Sequence, residues 1–219
     1  MEDISQKIKK DILNTSYEAE ACHIGSALSC VDILVTLFYN HDLKDNDVFL
    51  FGKASGVATY YAILADKGHF PKDKLSHYLK NYPLPSVEVP GVVHSFGSVG
   101  HGLSVACGMA LGNRNRKVYI LLSDGDCQEG STYEAVLFAR QHKLDNLYVI
   151  VDDNGLQACG ATKDILQLDD AFEFMKKSLK NVSIVKTVKG KGIDFMENDY
   201  TWHYKNLDKE LLEKALKQI

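Results

Sequence analysis

The sequence predicts an α/β protein: a single three-layer domain in which a mostly parallel sheet is flanked by helices. Three observations carry this expectation. Short apolar runs of the type buried on both faces recur at residues 48–51, 117–122, 147–151 and 182–188. Stretches of helical length and periodicity alternate with them, and that alternation favours a parallel sheet. No internal repeat, linker or low-complexity tract interrupts the 219 residues, so one domain is expected over residues 1–219.

In chain order, Ile4, Ile8, Ile12, Leu13 and Tyr17 recur at helical spacing and predict an amphipathic opening helix. His23-Ile24-Gly25-Ser26 reads as a break with a polar residue in it. A second helix is expected over 31–39, with Ser29 as its N-cap. Residues 48–51 read as a buried strand and 57–65 as the helix behind it. Three of the four prolines, Pro83, Pro85 and Pro90, fall between residues 82 and 97. That predicts a long irregular connection, and such connections inside compact domains are often functional. Residues 103–111 suit a small-residue helix, and 117–122 a strand. Ser131 with Glu134 has the form of a capping box opening a helix to about His142. A strand over 147–151, a helix over about 164–179 and a strand over 182–188 follow. Asp208 is expected to cap a last helix ending near Gln218. Lys176, Lys177 and Lys180 read as a solvated helix end that favours the helix dipole.

Hydrophobic residues make up 45 % and charged residues 25 %, the proportions of a soluble globular protein. A net charge of −4 argues against nucleic acid as a partner, which would select a basic face. No apolar run approaches the roughly 20 residues of a membrane span, and the polar residues 1–10 do not form a secretory signal, so no membrane partner is expected. Five scattered cysteines, with no C-x-x-C pair, argue against a zinc site or a disulfide framework and for a cytoplasmic protein with reduced thiols.

The stretch from residue 121 to 160 carries the chemistry. Asp124-Gly125 directly follows one expected strand and Asp153-Asn154-Gly155 the next, with Asn154 30 residues after Asp124. A right-handed βαβ crossover of that length sets both at the carboxyl ends of neighbouring parallel strands, the edge where open α/β sheets bind ligands. Asp124, Asn154 and a backbone carbonyl just after Asn154 offer hard oxygen ligands, the set that suits Mg²⁺ held against a diphosphate. Gly125 lets the backbone approach phosphate without a Cβ in the way. Either dipeptide alone is an ordinary turn former; the pairing at this spacing is what points to a site.

These residues resemble the thiamine-diphosphate signature in its transketolase form. Ser123-Asp124-Gly125-Asp126-Cys127-Gln128-Glu129-Gly130 is similar to G-D-G-x-x-Q-E-G, with Ser123 at the first glycine, a small-for-small change that leaves the metal ligand untouched. His142-Lys143-Leu144-Asp145-Asn146-Leu147 matches H-K-L-D-N-L, and Val151-Asp152-Asp153-Asn154-Gly155-Leu156-Gln157 resembles V-D-x-N-x-x-Q. His23-Ile24-Gly25 resembles S-G-H-P-G, the segment from Gly97 to Ser104 resembles G-S-L-G-Q-G-L-S, and Trp202-His203 resembles the terminal W-H. The resemblance implies Asp124, Asn154 and the Leu156 carbonyl as ligands of Mg²⁺, or of Ca²⁺ in its place. Gly97, Val99, Gly125, Asn154 and His203 would line thiamine diphosphate. It implies His23, Glu129 and His203 as catalytic residues: His23 facing the substrate, His203 on the diphosphate side, and Glu129 between paired sites in the dimer.

Two positions depart from the family. Ser55 and Tyr82 stand where it has histidines that serve diphosphate binding and substrate handling. The resemblance covers only the family's diphosphate-binding domain. It therefore implies the N-terminal subunit of a split transketolase, moving a two-carbon ketol unit from a ketose to an aldose. The pyrimidine domain and its glutamate would come from a partner chain in a heterotetramer, with small sugars or sugar phosphates as substrates. The two departures suggest a substrate other than the usual pentose phosphates. Alternatives are a non-catalytic or regulatory pseudo-subunit, or half of another thiamine-dependent decarboxylase or synthase. A nucleotide-binding reading fares worse. Gly97 to Gly102 runs G-x-x-G-x-G, the reverse of the dinucleotide fingerprint, and Gly52-Lys53-Ala54 lacks the P-loop's earlier glycine and its Ser/Thr.

Overall fold

The computed structural model describes residues 2–40, 43–44 and 46–219. Its helices and strands follow in the order α1 (Glu2–Glu18), α2 (Ile24–Ser29), α3 (Val31–Val35), β1 (Val48–Phe51), α4 (Val57–Asp66), α5 (Leu75–Asn81), α6 (Gly102–Gly112), β2 (Val118–Ser123), α7 (Gly130–Gln141), β3 (Leu147–Asp153), α8 (Thr162–Ile165), α9 (Asp169–Ser178), β4 (Asn181–Lys186) and α10 (Lys209–Leu216). The chain gathers into two compact units. One comprises Met1–Leu43, Ser55–Ser95 and Thr187–Ile219; the other comprises Lys44–Ala54 and Phe96–Lys186.

The second unit holds the sheet. Among the described residues its order is β1-β2-β3-β4, and every neighbouring pair is parallel. The register sets Ser123 beside Asp152, and Asp153 beside Lys186, at the carboxyl edge. Val118, Ile120 and Leu122 of β2 and Val149 and Val151 of β3 pack with Leu103, Ala106 and Ala110 of α6, Val136 and Ala139 of α7, and Met175 of α9. The small residues of α6 let that helix approach the strands closely. Each fully buried aliphatic side chain adds roughly 1.5–3 kcal/mol. The expected parallel sheet flanked by helices is what forms.

The first unit is helical. Ile8, Ile12 and Leu13 of α1 are fully buried, as are Ile24 and Leu28 of α2 and Tyr61, Ile63 and Leu64 of α4. The expected stripe on α1 therefore faces its core, with Ile4 and Tyr17 at the margins. Asp208 accepts from the Leu211 amide and caps α10 as expected.

Several local expectations are corrected. Ser29 does not cap a helix over 31–39; it ends α2, and its hydroxyl donates to the Ser26 carbonyl at 3.0 Å. Helix resumes at Val31 and passes into a π-turn over Thr36–Asn40. Of the break expected at 23–26 only His23 is non-helical, as the last residue of a connection over 19–23, because α2 begins at Ile24. Ser131 is no capping box: its hydroxyl donates to the Gly100 carbonyl at 3.0 Å, and Glu129 takes the N-cap position of α7 without a side-chain bond. The helix over 164–179 is split into α8 and α9, and in the gap between them the Leu166 carbonyl accepts from the Gln128 amide at 2.6 Å instead of from a following helical turn. α5 has no counterpart in the sequence reading. Among the described residues no helix is long and apolar enough to cross a membrane.

Candidate active site

Asp124 leaves the end of β2 and accepts from two backbone amides, Gly125 at 2.8 Å and Gly155 at 2.7 Å. The second bond joins the turn after β2 to the turn after β3, as the βαβ spacing requires. Gly155 reaches it with a φ of 76°, the left-handed region that glycine enters without cost. The Asn154 side-chain oxygen accepts from the Leu156 amide at 3.1 Å. Leu156 faces Ala161 across an isolated antiparallel bridge. That bridge is closed by flanking bonds, Gln157 N–H to the Gly160 carbonyl and Thr162 N–H to the Gly155 carbonyl. The three residues expected to supply hard oxygens thus belong to one strand-end turn and one short loop, joined by the Gly155 amide on Asp124.

The electrostatics fit a cation. Asp124 is 2 % exposed, and burial pushes its carboxyl up, opposed by Lys53 and by the Gly155 and Gly125 amides. Asp126, Asp152 and Asp153 are buried at the same edge. Lys53 is in ion-pair contact with Asp152 at 2.9 Å, and Lys186 with Asp153 at 2.6 Å. A divalent ion on Asp124 would relieve the desolvation of its charge. Each carboxylate oxygen has a second lone pair beyond the amide bond it takes. Gly125 fits a phosphate neighbour too: a Cβ there would meet nothing nearer than Ser123 Oγ at 3.6 Å, so neither crowding nor a positive φ demands glycine. Among the described residues no group of three or more His, Cys, Asp or Glu is arranged to hold a metal; the set here is one carboxylate, one amide and one peptide oxygen.

Gly97 and Val99 lie exposed on the connection leading into α6, and Val99 is 48 % exposed. Glu129 is exposed at the start of α7. These three residues, and Asp124, Asn154 and Leu156, all belong to the second unit.

The histidines form a separate group in the first unit. His23 stands at the N-terminus of α2 with a φ of 70°, uncommon for a residue with a side chain. Its amide donates to the His203 carbonyl at 3.0 Å, and the two rings meet edge-on at 4.8 Å between centroids. Lys189 is 1 % exposed and brings its ammonium 3.2 Å from His203 Nδ1. An ammonium only donates, so Nδ1 accepts and the ring proton sits on Nε2. Burial, and then the charge of Lys189, hold His23 below the usual imidazole range, so it is neutral at neutral pH. A cavity of about 160 Å³ is lined by His23, Ser55, Cys22, Lys80 and Pro83 among others. The structure therefore brings His23 together with one of the two departures, Ser55, while Tyr82 lies in the chain between Lys80 and Pro83.

Sequence reasoning missed Lys53, Lys189 and Asp126. The signal for Lys53 and Asp126 is a charged residue inside an otherwise buried stretch.

A family model described as 1-deoxy-D-xylulose-5-phosphate synthase matches residues 1–215. One subunit of the apulose-4-phosphate transketolase of Actinobacillus succinogenes is 36 % identical, over 95 % of this chain and 91 % of that protein. The transketolase of Pongo abelii is 30 % identical over 100 % of this chain but only 42 % of its own length. The crystal structure of Campylobacter jejuni transketolase superposes with a TM-score of 0.83 at 25 % identity, over 98 % of this chain and 42 % of that one. The chain thus spans less than half of full-length transketolases and nine-tenths of a transketolase subunit. With the strand-end oxygen set and the matches agreeing along nearly its whole length, the chain belongs to the transketolase and 1-deoxy-D-xylulose-5-phosphate synthase family, corresponding to its N-terminal domain.

Proposed function

We propose that this chain is the diphosphate-binding subunit of a thiamine-diphosphate- and Mg²⁺-dependent transketolase, acting in the cytoplasm with a partner that carries the pyrimidine domain. The observation that carries this reading is the Asp124–Gly155 bond, which ties the ends of two neighbouring parallel strands into one oxygen set. Coverage of nine-tenths of a relative named as a transketolase subunit supports the split arrangement. Assembly as a heterotetramer would place two copies of each chain together, with Glu129 between the paired sites.

When bound, the cofactor supplies the nucleophilic carbon through which the bond beside a ketose carbonyl is broken and remade. Asp124, Asn154 and the Leu156 carbonyl hold the ion that neutralises the diphosphate. Gly97, Val99 and Gly125 give the backbone close approach to it. His203, with its proton fixed on Nε2, donates a hydrogen bond. His23, neutral and half-buried, accepts a proton from a substrate hydroxyl and returns it; positioned groups of this kind contribute about 10²–10⁴-fold. Ser55 cannot act as an acid or base near neutral pH, which favours a substrate other than the common pentose phosphates. The relative's name suggests a ketose phosphate such as apulose 4-phosphate.

The family model favours a second reading, in which the complex joins a decarboxylated 2-keto acid to an aldehyde. One assay separates the two. The chain, co-purified with its partner, is given ketose phosphate and aldose phosphate, or pyruvate and an aldose phosphate. Two-carbon transfer without release of CO₂ is expected; CO₂ release dependent on pyruvate would replace the transketolase reading with the synthase one.

A further inference from the structure

Ser123 stands where the family pattern has glycine, and its hydroxyl is engaged on both sides. It donates to Asp126 Oδ2 at 2.6 Å and accepts from the Asp126 amide at 3.1 Å, while the Ser123 amide donates to the same carboxylate oxygen at 2.8 Å. The other oxygen, Oδ1, accepts from the Gly100 amide at 2.7 Å. Asp126 is 2 % exposed, and its carbonyl accepts from the Thr132 hydroxyl at 2.6 Å. Gly100 is fixed from its other side by the Ser131 hydroxyl on its carbonyl. It has a φ of 83°, and a Cβ would fall 2.6 Å from Ser131 Oγ. A buried carboxylate between two donor sets is oriented by both, and glycine at 123 would remove one hydroxyl from that count.

We propose that Ser123 and Asp126 are positioning residues. They lock the connection bearing Gly97 and Val99 to the turn bearing Asp124 and Gly125, so that both present their backbone to thiamine diphosphate in a fixed relation. This rests on the proposed cofactor reading and adds residues to it. Neither side chain touches the reacting atoms; each acts through the Gly100 amide. The serine is therefore a functional substitution and not an inert small-for-small exchange.

The test uses the full chain and Ser123→Gly, Ser123→Ala and Ser123→Thr. Hydrogen exchange of the Gly100 amide needs neither cofactor nor partner. It should accelerate about tenfold in the glycine and alanine variants, as the loss of one ordinary buried hydrogen bond implies, and return towards wild type in the threonine variant. The amides of Val149 and Val151 should keep their protection, which separates local loosening from unfolding. In the complex with its partner, the KM for thiamine diphosphate should rise about tenfold in Ser123→Gly by the same reasoning, with kcat at saturation unchanged, and the threonine variant should restore it. Unchanged Gly100 exchange and unchanged KM in Ser123→Gly would overturn the proposal, as would a folded threonine variant that restores neither. If the wild-type complex binds no thiamine diphosphate, the cofactor reading falls, and Gly100 exchange alone then decides whether the lock exists.

Discussion

His23 is the residue at which conformation, charge and chemistry meet. Its left-handed backbone turns the chain into α2, and its amide is tied to His203. The pKa depression has a consequence for stability. In the folded chain burial and Lys189 keep the ring neutral, whereas in the unfolded chain it titrates near about 6.5. Below that value the unfolded state binds more protons, so stability is full above the unfolded pKa and falls as pH drops towards the folded one. His23→Asn keeps a residue that tolerates the left-handed region and removes the titration. Denaturant melts between pH 7.5 and 5 should show a steeper acid loss in wild type than in this variant; parallel slopes would mean that the imidazole is not held neutral. Lys189, which imposes part of this, was not legible in the sequence. A lysine beside Gly190 reads as a loop residue, and only the fold shows its stem buried against Gly25 and its ammonium on His203.

At the scale of elements, β1 and β2 were the most legible feature because burial on both faces leaves continuous apolar runs, whereas β4, expected as a buried strand, is only half-buried. β1 matches the expected 48–51 in full, and β3 extends two residues beyond the expected 147–151. Those two residues are Asp152 and Asp153, whose charge disguised them as loop. Asp152 is tolerated in the sheet because Lys53, at the end of β1, pairs with it at 2.9 Å with both side chains essentially buried. Removing one member of such a pair leaves an uncompensated buried charge and costs about 3–5 kcal/mol. Lys53→Met should therefore lower unfolding free energy by about that amount in urea titrations, while Lys53→Met with Asp152→Leu should recover most of it; a loss under about 1 kcal/mol would show the pair to be solvated. Helix starts were less legible. Ser29 and Ser131 carry the right residue type for caps, but their hydroxyls serve carbonyls instead, a choice set by tertiary neighbours that a local pattern does not contain. The meeting of the two strand-end turns, made by the Gly155 amide on Asp124, was legible because it depends only on strand ends and crossover length.

At the scale of the whole molecule, the chain matches 42 % of a full-length transketolase but nine-tenths of a transketolase subunit. Asp124, Asn154 and Leu156, the proposed ligands, lie in one compact unit, and the histidines that resemble the family pattern lie in the other. The central claim is that Asp124, Asn154 and Leu156 hold a divalent ion against a diphosphate. Calorimetric titration of thiamine diphosphate into the chain assembled with its partner tests it most directly, with Mg²⁺ and with a chelator, for wild type, Asp124→Ala and Asn154→Ala. The account predicts saturable binding that requires Mg²⁺ and weakens at least about 100-fold in Asp124→Ala, beyond the 10–100-fold typical of losing an outer partner of a metal ligand, with a similar loss in Asn154→Ala. Binding that is indifferent to the chelator, or undiminished in Asp124→Ala, would contradict it.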